Sequence, residues 1–288
     1  KNMRRFFKIF YNFKPELVIT DFEPFCSILG RLLGIPTVAV DNVNTLYRAK
    51  IQPNKKDIMP YIGARIVAQS FIKADTFILT TFFRPEVKKL MRKKTIYVPP
   101  ILRSEVLEKK PSDGDHILVY QTSKSNTKLM KLLQTRKEKY IVYGFDVDKT
   151  ENNVQFKKFH QTGIIDDLSS AKGLIVNGGF TVITEALYFR KPILSAPIKQ
   201  QFEQIMNAMY IERLGYGSYC EEVTNECLDE FLKNLETYKN NLQKYDAQDN
   251  SEYFSVLDTE IIKQLSQEKL IEKMKQGFKK IQKELLES

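Results

Sequence analysis

The chain is 288 residues long and 42% hydrophobic, which is enough for two α/β domains of ordinary size rather than one core. Charged residues make up 28% of it, which excludes a membrane bundle, and no apolar run approaches the roughly 20 residues that a spanning helix needs. The 3 cysteines and 2 histidines are too few for a disulfide framework or a zinc site. We therefore expect a cytoplasmic protein with reduced thiols and no bound metal.

The net charge of +10 predicts an affinity for anions, and nucleotides, nucleic acids and anionic membranes all meet that condition. Basic residues are spread along the chain and no recognisable nucleic-acid motif accompanies them, so nucleic acid is not expected as a partner. We expect the excess charge to lie partly on solvated surface and partly where it attracts lipid phosphates. The charge therefore leaves open a peripheral contact with the inner face of the membrane.

Helices and strands alternate along the first part of the chain. Residues Asn2–Phe13 have the spacing of an amphipathic helix, and short apolar runs then alternate with helical segments. Near-continuous apolar strands of this kind indicate a parallel sheet covered on both faces. The predicted strands are Leu17–Thr20, Pro36–Val40, Thr76–Thr80 and Thr95–Val98, and the predicted helices are Pro24–Leu33, ended by Gly34, and Pro60–Ala74.

A break at Pro99-Pro100 is followed by the polar segment Ile101–Asp115, which has the composition of a linker between domains. The chain therefore divides into a first domain over 1–107 and a second domain over 108–288. The second domain continues the α/β alternation. Its predicted strands are His116–Tyr120, Tyr140–Tyr143, Val154–Phe156, Leu174–Val176 and Pro192–Leu194, and its predicted helices are Lys128–Thr135 and Thr181–Phe189.

Two further features belong to the second domain. The turn after its first strand is rich in hydroxyl groups, and Thr122 and Ser123 are candidates for phosphate or sugar contact. Beyond Gly217 the pattern is helical, with one helix predicted over Asn225–Gln243 and a terminal helix whose apolar stripe begins at Ile261. We expect this terminal helix to pack on a domain, and a helix lying on a membrane surface is the alternative.

The stretch from Leu174 to Gly217 carries most of the functional information. Asn177-Gly178-Gly179 forms a turn without bulky side chains between a buried strand and a helix whose first N–H groups lack backbone partners. Those N–H groups and the positive helix end favour a bound phosphate. Glu185, one turn further on, is placed to accept hydrogen bonds from a diol such as a ribose. The structural alternative is a tight turn followed by a carboxylate that only stabilises the helix dipole.

The order and spacing of the polar residues in this stretch resemble the donor site of GT-B nucleotide-sugar glycosyltransferases. The resemblance is greatest to the branch of glycosyltransferase family 28, which includes the peptidoglycan N-acetylglucosaminyltransferases. It implies an α/β fold of two Rossmann-like domains whose parallel sheets face each other across a cleft. The matching residues are Asn177-Gly178-Gly179, Glu185-Ala186, Lys191-Pro192, Pro197, Glu203-Gln204 and Asn207-Ala208.

The resemblance also implies roles for single residues. Gly178, Gly179 and Thr181 would face the diphosphate, Glu185 the ribose hydroxyls, and Glu203 with Gln204 the sugar. Ile164 and Ile165 are the candidates for contact with the base, although apolar residues at such a place often belong to the core. Asn177 departs from the His or Arg that is common at its position, and Val182 lacks the hydroxyl that many relatives carry.

The reaction implied by the resemblance is transfer of a hexose or N-acetylhexosamine from a nucleoside diphosphate sugar, with UDP expected, to a hydroxyl acceptor. Inversion at the anomeric carbon, independence of metals and cofactors, and a lipid-linked acceptor as one option belong to the same implication. Relatives of this branch begin with a strand and a G-x-G-H-x-x-R turn that this sequence lacks. We therefore expect the first domain to be incomplete, with roughly 60 to 90 residues upstream.

Transfer to a hydroxyl needs a base, and Asp21, Glu23 and Asp41 lie at predicted carboxyl ends of strands. Each is equally suited to cap a helix or form a turn. Two other classes of function remain open. A nucleotide-sugar 2-epimerase would convert the donor without an acceptor, and a non-catalytic subunit would bind the donor but need a partner chain for transfer.

Overall fold

The structure is a computed structural model that describes residues 2–121 and 127–266. Two compact units are present. The first comprises the described residues up to Gln52, Ile62–Pro100 and the described residues from Asn250 onward, and the second comprises Pro53–Tyr61 and Ile101–Asp249. These units differ from the predicted ranges 1–107 and 108–288 mainly because the end of the chain groups with the first unit rather than with the second.

The first unit is built on a four-stranded sheet in the order β1-β2-β3-β4, and every neighbouring pair is parallel. Apolar residues on alternate strand positions pack on both faces, as the sequence predicts. Val38, Val40 and Ile78 lie on one face, and Ala39, Phe77 and Leu79 lie on the other. The strands are Val18–Thr20 (β1), Thr37–Asp41 (β2), Thr76–Thr80 (β3) and Thr95–Val98 (β4), and the helices are Asn2–Phe13 (α1), Pro24–Leu33 (α2), Thr45–Arg48 (α3) and Ile58–Phe71 (α4).

The terminal helix packs on this first sheet. Residues 251–266 are helical, and Tyr253, Val256 and Leu257 contact the core that contains Val38. Thr76 Oγ1 donates to Glu260 Oε2 at 2.8 Å, which fastens the helix to the start of β3. The helix therefore packs on a domain as predicted, but through residues that precede Ile261, where the predicted stripe begins. Ile261 itself is half-buried, and the part of the stripe beyond residue 266 lies outside the described residues.

The second unit is built on a seven-stranded sheet in the order β11-β10-β9-β5-β6-β8-β7. All neighbouring strands are parallel except β7 and β8, which form an antiparallel hairpin. The strands are His116–Tyr120 (β5), Lys139–Tyr143 (β6), Lys149–Glu151 (β7), Val154–Phe156 (β8), Gly173–Val176 (β9), Ile193–Ser195 (β10) and Gly217–Tyr219 (β11). The helices are Ser104–Leu107 (α5), Thr127–Gln134 (α6), Gln161–Ser170 (α7), Phe180–Tyr188 (α8), Phe202–Arg213 (α9), Asn225–Lys233 (α10) and Leu235–Leu242 (α11).

The six strands of this sheet other than β7 have Rossmann order. Starting from β5, the chain adds β6 and β8 on one side, then crosses over to add β9, β10 and β11 on the other. This is the doubly wound arrangement of dinucleotide-binding domains. The α/β fold with parallel Rossmann-like sheets that the sequence predicts is therefore confirmed.

Two predictions about the second unit are wrong. The single helix over Asn225–Gln243 is two helices, because Asn234 leaves the helical conformation and its Nδ2 donates to Glu230 O at 2.9 Å, ending α10. The segment Ile101–Asp115 is not a free linker, because it contains α5 and buries Val106 completely. Among the helices that the structure describes, none is long and apolar enough to cross a membrane.

Candidate functional site

The strand order of the second unit fixes where a ligand is expected. The order reverses between β5 and β9, and open α/β sheets bind ligands outside the carboxyl ends of the strands at such a switch. Gln121 follows β5 and is buried, and Asn177 follows β9. The predicted donor turn therefore lies at the switch point. Thr122 and Ser123, which continue from Gln121, lie outside the described residues.

The Asn177-Gly178-Gly179 turn is held tightly against α9 and the end of β10. Gly178 has φ +88°, and a Cβ at this position would lie 2.8 Å from the backbone oxygen of Gln204. Asn207 Nδ2 donates to Gly178 O at 3.0 Å, and Asn177 Nδ2 donates to Ala196 O at 3.2 Å. Asn177 thus ties the turn to the residue that follows β10, and its contact with a phosphate stays a prediction. Glycine is required at 178 by both the backbone angle and the contact.

The turn leads directly into α8 with Gly179 as its N-cap, and a glycine has no side chain that could cap the helix. The positive end of a helix that begins in this way favours a bound anion. Thr181, in the first turn, is exposed. The backbone of Gly179 has φ −62° rather than a left-handed angle, and the nearest atom to an added Cβ is Val182 Cγ1 at 4.0 Å. Nothing in the packing demands a glycine at 179, in contrast to 178.

Glu185 lies on α8 with 4% of its side chain exposed, and its carboxylate is bound by Arg103. Arg103 Nε donates to Oε1 at 2.7 Å and Nη2 donates to Oε2 at 2.9 Å. This fork-to-fork geometry is the strongest form of the pair, and the hydrogen bond to Glu185 raises the pKa of Arg103. Sequence reasoning missed Arg103, because no local pattern links residues that are 82 positions apart.

The predicted sugar-binding pair lies at the start of α9. Glu203 is half-buried in the first turn, and Gln204 Oε1 accepts a hydrogen bond from Ile198 N at 3.0 Å. Gln204 thus closes the loop after β10, while its backbone abuts Gly178. The structure therefore brings Gln204 next to the glycine turn, and the sugar contact itself stays a prediction.

Ile165 lies in α7 and is 2% exposed, and the neighbouring Ile164 is also buried. Both side chains belong to the core, which was the alternative to base contact. Ile165 is more than one turn beyond the N-cap His160, where backbone N–H groups are committed to the helix. Contact with a base through this residue stays a prediction.

The three candidate bases lie in the first unit and have different surroundings. Glu23 is the N-cap of α2, since its carboxylate accepts from Phe25 N at 3.0 Å and Cys26 N at 2.7 Å. Asp41 is buried at the end of β2 and accepts from both Asn44 N and Asn44 Nδ2 at 2.7 Å. Asp21 is exposed in the turn after β1 and accepts no hydrogen bond from a described residue.

A cluster of unpaired polar groups lies beside Asp41, and no sequence pattern predicted it. Asn42, Asn44 and Thr45 are all at most 6% exposed. Both side-chain amide atoms of Asn42, Oδ1 of Asn44 and Oγ1 of Thr45 have no partner among the described residues. Each buried polar group without a partner costs about 1–3 kcal/mol, so such a concentration indicates that water or a polar ligand completes the cluster.

No group of three or more His, Cys, Asp or Glu side chains suited to a metal ion occurs within the described residues. The three cysteines are free thiols. Hydrogen bonding between Cys220 and Cys227 lowers the pKa of Cys227 and, together with burial, raises that of Cys220. Independence of metal ions stays a prediction.

Lys191, one of the residues that carry the family resemblance, is a buried lysine. It is 4% exposed, and its Nζ donates to Ser112 O at 2.6 Å. Burial lowers the pKa of Lys191 from 10.5 to about 8, while smaller effects come from Asp113, which raises it, and Lys239, which lowers it. The charged form is therefore disfavoured in the folded protein.

We expect Lys191→Met to change the pH dependence of stability. Between pH 8 and 10.5 the unfolded chain holds the Lys191 proton that the folded chain has released, so this lysine makes the free energy of unfolding rise with pH. Relative to wild type, the variant is expected to lose about 1–3 kcal/mol of stability over that interval. Urea unfolding of both proteins at pH 7 and pH 10 measures this, and an equal difference at the two pH values contradicts it.

The fold is that of GT-B glycosyltransferases. The UGT2 of Phytolacca americana, solved with UDP-2fluoro-glucose and pterostilbene, aligns with a TM-score of 0.64 at 16% identity over 92% of this chain and 79% of that one. The glycosyltransferase of kitacinnamycin aligns with a TM-score of 0.60 at 15% identity over 84% of this chain and 74% of the other. At this level of identity the likeness establishes the fold.

The chain belongs to the family described as Glycosyl transferase family 1, which it matches over residues 1–236. A protein of Methanosarcina acetivorans named as an uncharacterized glycosyltransferase is 25% identical over 82% of this chain and 69% of its own length. A UDP-N-acetylglucosamine–N-acetylmuramyl-(pentapeptide) pyrophosphoryl-undecaprenol N-acetylglucosamine transferase of Bacillus cereus is 23% identical over 64% of this chain, which spans 61% of that protein. The predicted class of enzyme, a glycosyltransferase, is confirmed.

Proposed function

We propose that this glycosyltransferase moves a hexose or N-acetylhexosamine from a nucleoside diphosphate sugar, with UDP as the expected nucleotide, to a hydroxyl acceptor with inversion and without a metal ion. The observation that carries the proposal is the Gly178-Gly179 turn at the switch point of a Rossmann sheet, followed directly by the N-terminus of α8. Backbone N–H groups there stabilise the negative charge that develops on a leaving diphosphate.

The donor is supported by two further observations. Glu185 presents a buried carboxylate on the same helix, suited to accept from the hydroxyls of a ribose. The names of the Bacillus cereus relative and of the Phytolacca americana complex both contain UDP sugars. The Bacillus cereus name also supports the choice of an N-acetylhexosamine.

The acceptor is proposed to bind at the first unit. Beside Asp41, the side-chain amide of Asn42, Oδ1 of Asn44 and Oγ1 of Thr45 have no partner among the described residues, and they offer neutral donors and acceptors suited to hydroxyl groups. A lipid-linked acceptor is supported by the undecaprenol in the name of the Bacillus cereus relative and by the net charge of +10. Ile62, Ile66 and Val67 are exposed on α4, which supports a peripheral membrane contact.

Titration calorimetry of the chain with UDP, UDP-N-acetylglucosamine and GDP-mannose tests the donor site. We expect one nucleotide series to bind saturably and Glu185→Gln to weaken it about tenfold to a hundredfold, the effect of lost hydrogen bonds to a charged group. Glutamine preserves the shape of the side chain, so a change in binding reports the lost charge.

Glu105→Gln is the matched control, because Glu105 is a carboxylate of the same unit that accepts from Gln161 Nε2 at 2.8 Å. It is expected to bind nucleotide like wild type. Absence of binding by every nucleotide would reject a donor site in this chain. Conversion of a bound donor to its 2-epimer without an acceptor would instead identify an epimerase.

A further inference from the structure

The pairing of Arg103 with Glu185 controls the orientation of a buried carboxylate. The two hydrogen bonds measure 2.7 and 2.9 Å, and the side chains are 30% and 4% exposed for Arg103 and Glu185, respectively. No other donor from the described part of the chain reaches this carboxylate. Arg103 is therefore the group that fixes where the two oxygens of Glu185 point.

The backbone that carries Arg103 is itself fixed within the second unit. Arg103 directly precedes α5, whose Val106 is completely buried. Further along the segment, Ser112 N donates to Ser169 O at 2.9 Å and Ser112 O accepts from Lys191 Nζ at 2.6 Å. Because the backbones of Arg103 and Glu185 both belong to one compact unit, the guanidinium fixes the orientation of the carboxylate.

The bidentate pair leaves hydrogen-bond acceptor positions on Glu185 for a diol. An ionised carboxylate has about four acceptor positions, and Arg103 uses one on each oxygen. The two that remain match the two donors of a vicinal diol such as a ribose. Arg103 therefore preserves the geometry that diol recognition requires.

We propose that Arg103 is a positioning residue for donor specificity, which holds Glu185 so that its carboxylate distinguishes a ribonucleotide from a 2′-deoxyribonucleotide. This inference rests on the proposed function, since it takes the ligand at this site to be a nucleoside diphosphate. Arg103 acts through Glu185 in this role and does not itself contact the ribose.

The test compares the affinities of UDP and 2′-deoxy-UDP for the full chain by titration calorimetry, with wild type, Arg103→Gln and Arg103→Lys. Wild type is expected to prefer UDP by about tenfold or more, corresponding to one hydrogen bond to a charged group. Arg103→Gln is expected to reduce this preference below about threefold. Arg103→Lys restores part of it, because an ammonium keeps the charge without the fork.

The ratio of the two affinities is the readout because it does not depend on the fraction of protein that is correctly folded. Lys109→Gln is the matched control, since it removes the exposed pair of Lys109 with Asp166 in the same unit and is expected to leave the ratio unchanged. Equal weakening of both nucleotides by Arg103→Gln, with the wild-type ratio kept, overturns the proposal and assigns Arg103 to phosphate contact or to stability alone.

Two other results separate this proposal from the proposed function. If wild type binds UDP and 2′-deoxy-UDP equally well, the donor site stands but Glu185 does not read the ribose, and the role of Arg103 is rejected. If wild type binds neither, while circular dichroism shows it to be folded, the donor site itself is rejected and the proposal for Arg103 falls with it.

Discussion

Gly178→Ala is expected to abolish nucleotide binding and to destabilise the protein by about 2–5 kcal/mol. The left-handed backbone at φ +88° costs a residue with a Cβ about 1–2 kcal/mol. The Cβ would also lie 2.8 Å from the oxygen and 2.9 Å from the Cβ of Gln204, an overlap that adds about 1–3 kcal/mol. Relief of the overlap separates the turn from α9, so the N–H groups at the start of α8 move away from the site. Urea unfolding and calorimetry with UDP measure both effects.

Two other glycines isolate the causes. Gly34 has φ +70° and no atom within 4 Å of an added Cβ, so Gly34→Ala is expected to show the cost of the backbone angle alone. Gly179→Ala meets neither problem, and its loss of stability is expected to stay below about 1 kcal/mol, the difference between glycine and alanine at an N-cap. A bound diphosphate would still meet the new methyl group. The interpretation fails if Gly178→Ala costs no more stability than Gly34→Ala and binds UDP like wild type.

The regular elements were accessible from the sequence because their signals are local. Strands such as Thr76–Thr80 and His116–Tyr120 are continuous apolar runs between turn residues, and α2 has a glycine stop at Gly34; all three match the predicted bounds. Strand β8 was likewise predicted at its observed bounds, but β7 and its antiparallel pairing with β8 were not, because the turn that joins them depends on Asn152 adopting φ +53°. The short edge strand β11 likewise forms only because β10 offers it a parallel partner.

The candidate site likewise combines features with a local sequence signal and features that depend on tertiary contacts. The glycine turn and Glu185 were found because strand, turn and helix follow one another along the chain. Other features of the site depend on contacts between distant segments or on burial. They are the pairing of Glu185 with Arg103, the hydrogen bond from Asn207 Nδ2 to Gly178 O and the unpaired amide of Asn42. Sequence reasoning therefore identified where a donor would bind but treated Glu185 as a free carboxylate, whereas the folded chain binds it to Arg103.

The three candidate bases differ in the hydrogen bonds that their carboxylates accept, which the sequence alone did not reveal. A general base needs a carboxylate that is available to a proton on the acceptor. Glu23 is occupied by two backbone N–H groups of α2, and Asp41 is occupied by Asn44. Asp21 lies at the carboxyl end of β1, is exposed and accepts no hydrogen bond from any described residue. Burial, and to a smaller extent the charge of Asp21, raises the pKa of Tyr253. Of the three, Asp21 is the residue that we propose as the base.

Asp21→Asn is therefore expected to lower kcat by about a hundredfold to ten-thousandfold, the usual contribution of a positioned base, while the affinity for the nucleotide stays unchanged. The measurement is the rate of transfer from the donor that calorimetry selects, with an acceptor found by screening. Glu23→Gln is the control, and loss of its cap is expected to cost about 1 kcal/mol of stability with little effect on kcat. A rate for Asp21→Asn within about threefold of wild type, or a larger loss in Glu23→Gln, would assign proton removal to another group.

Stability and kcat must be measured for both variants, because Asp21 and Glu23 are only two residues apart in the chain. Glu23 caps α2 through hydrogen bonds to backbone N–H groups, so its substitution is expected to change stability, whereas substitution of Asp21 is expected to change kcat.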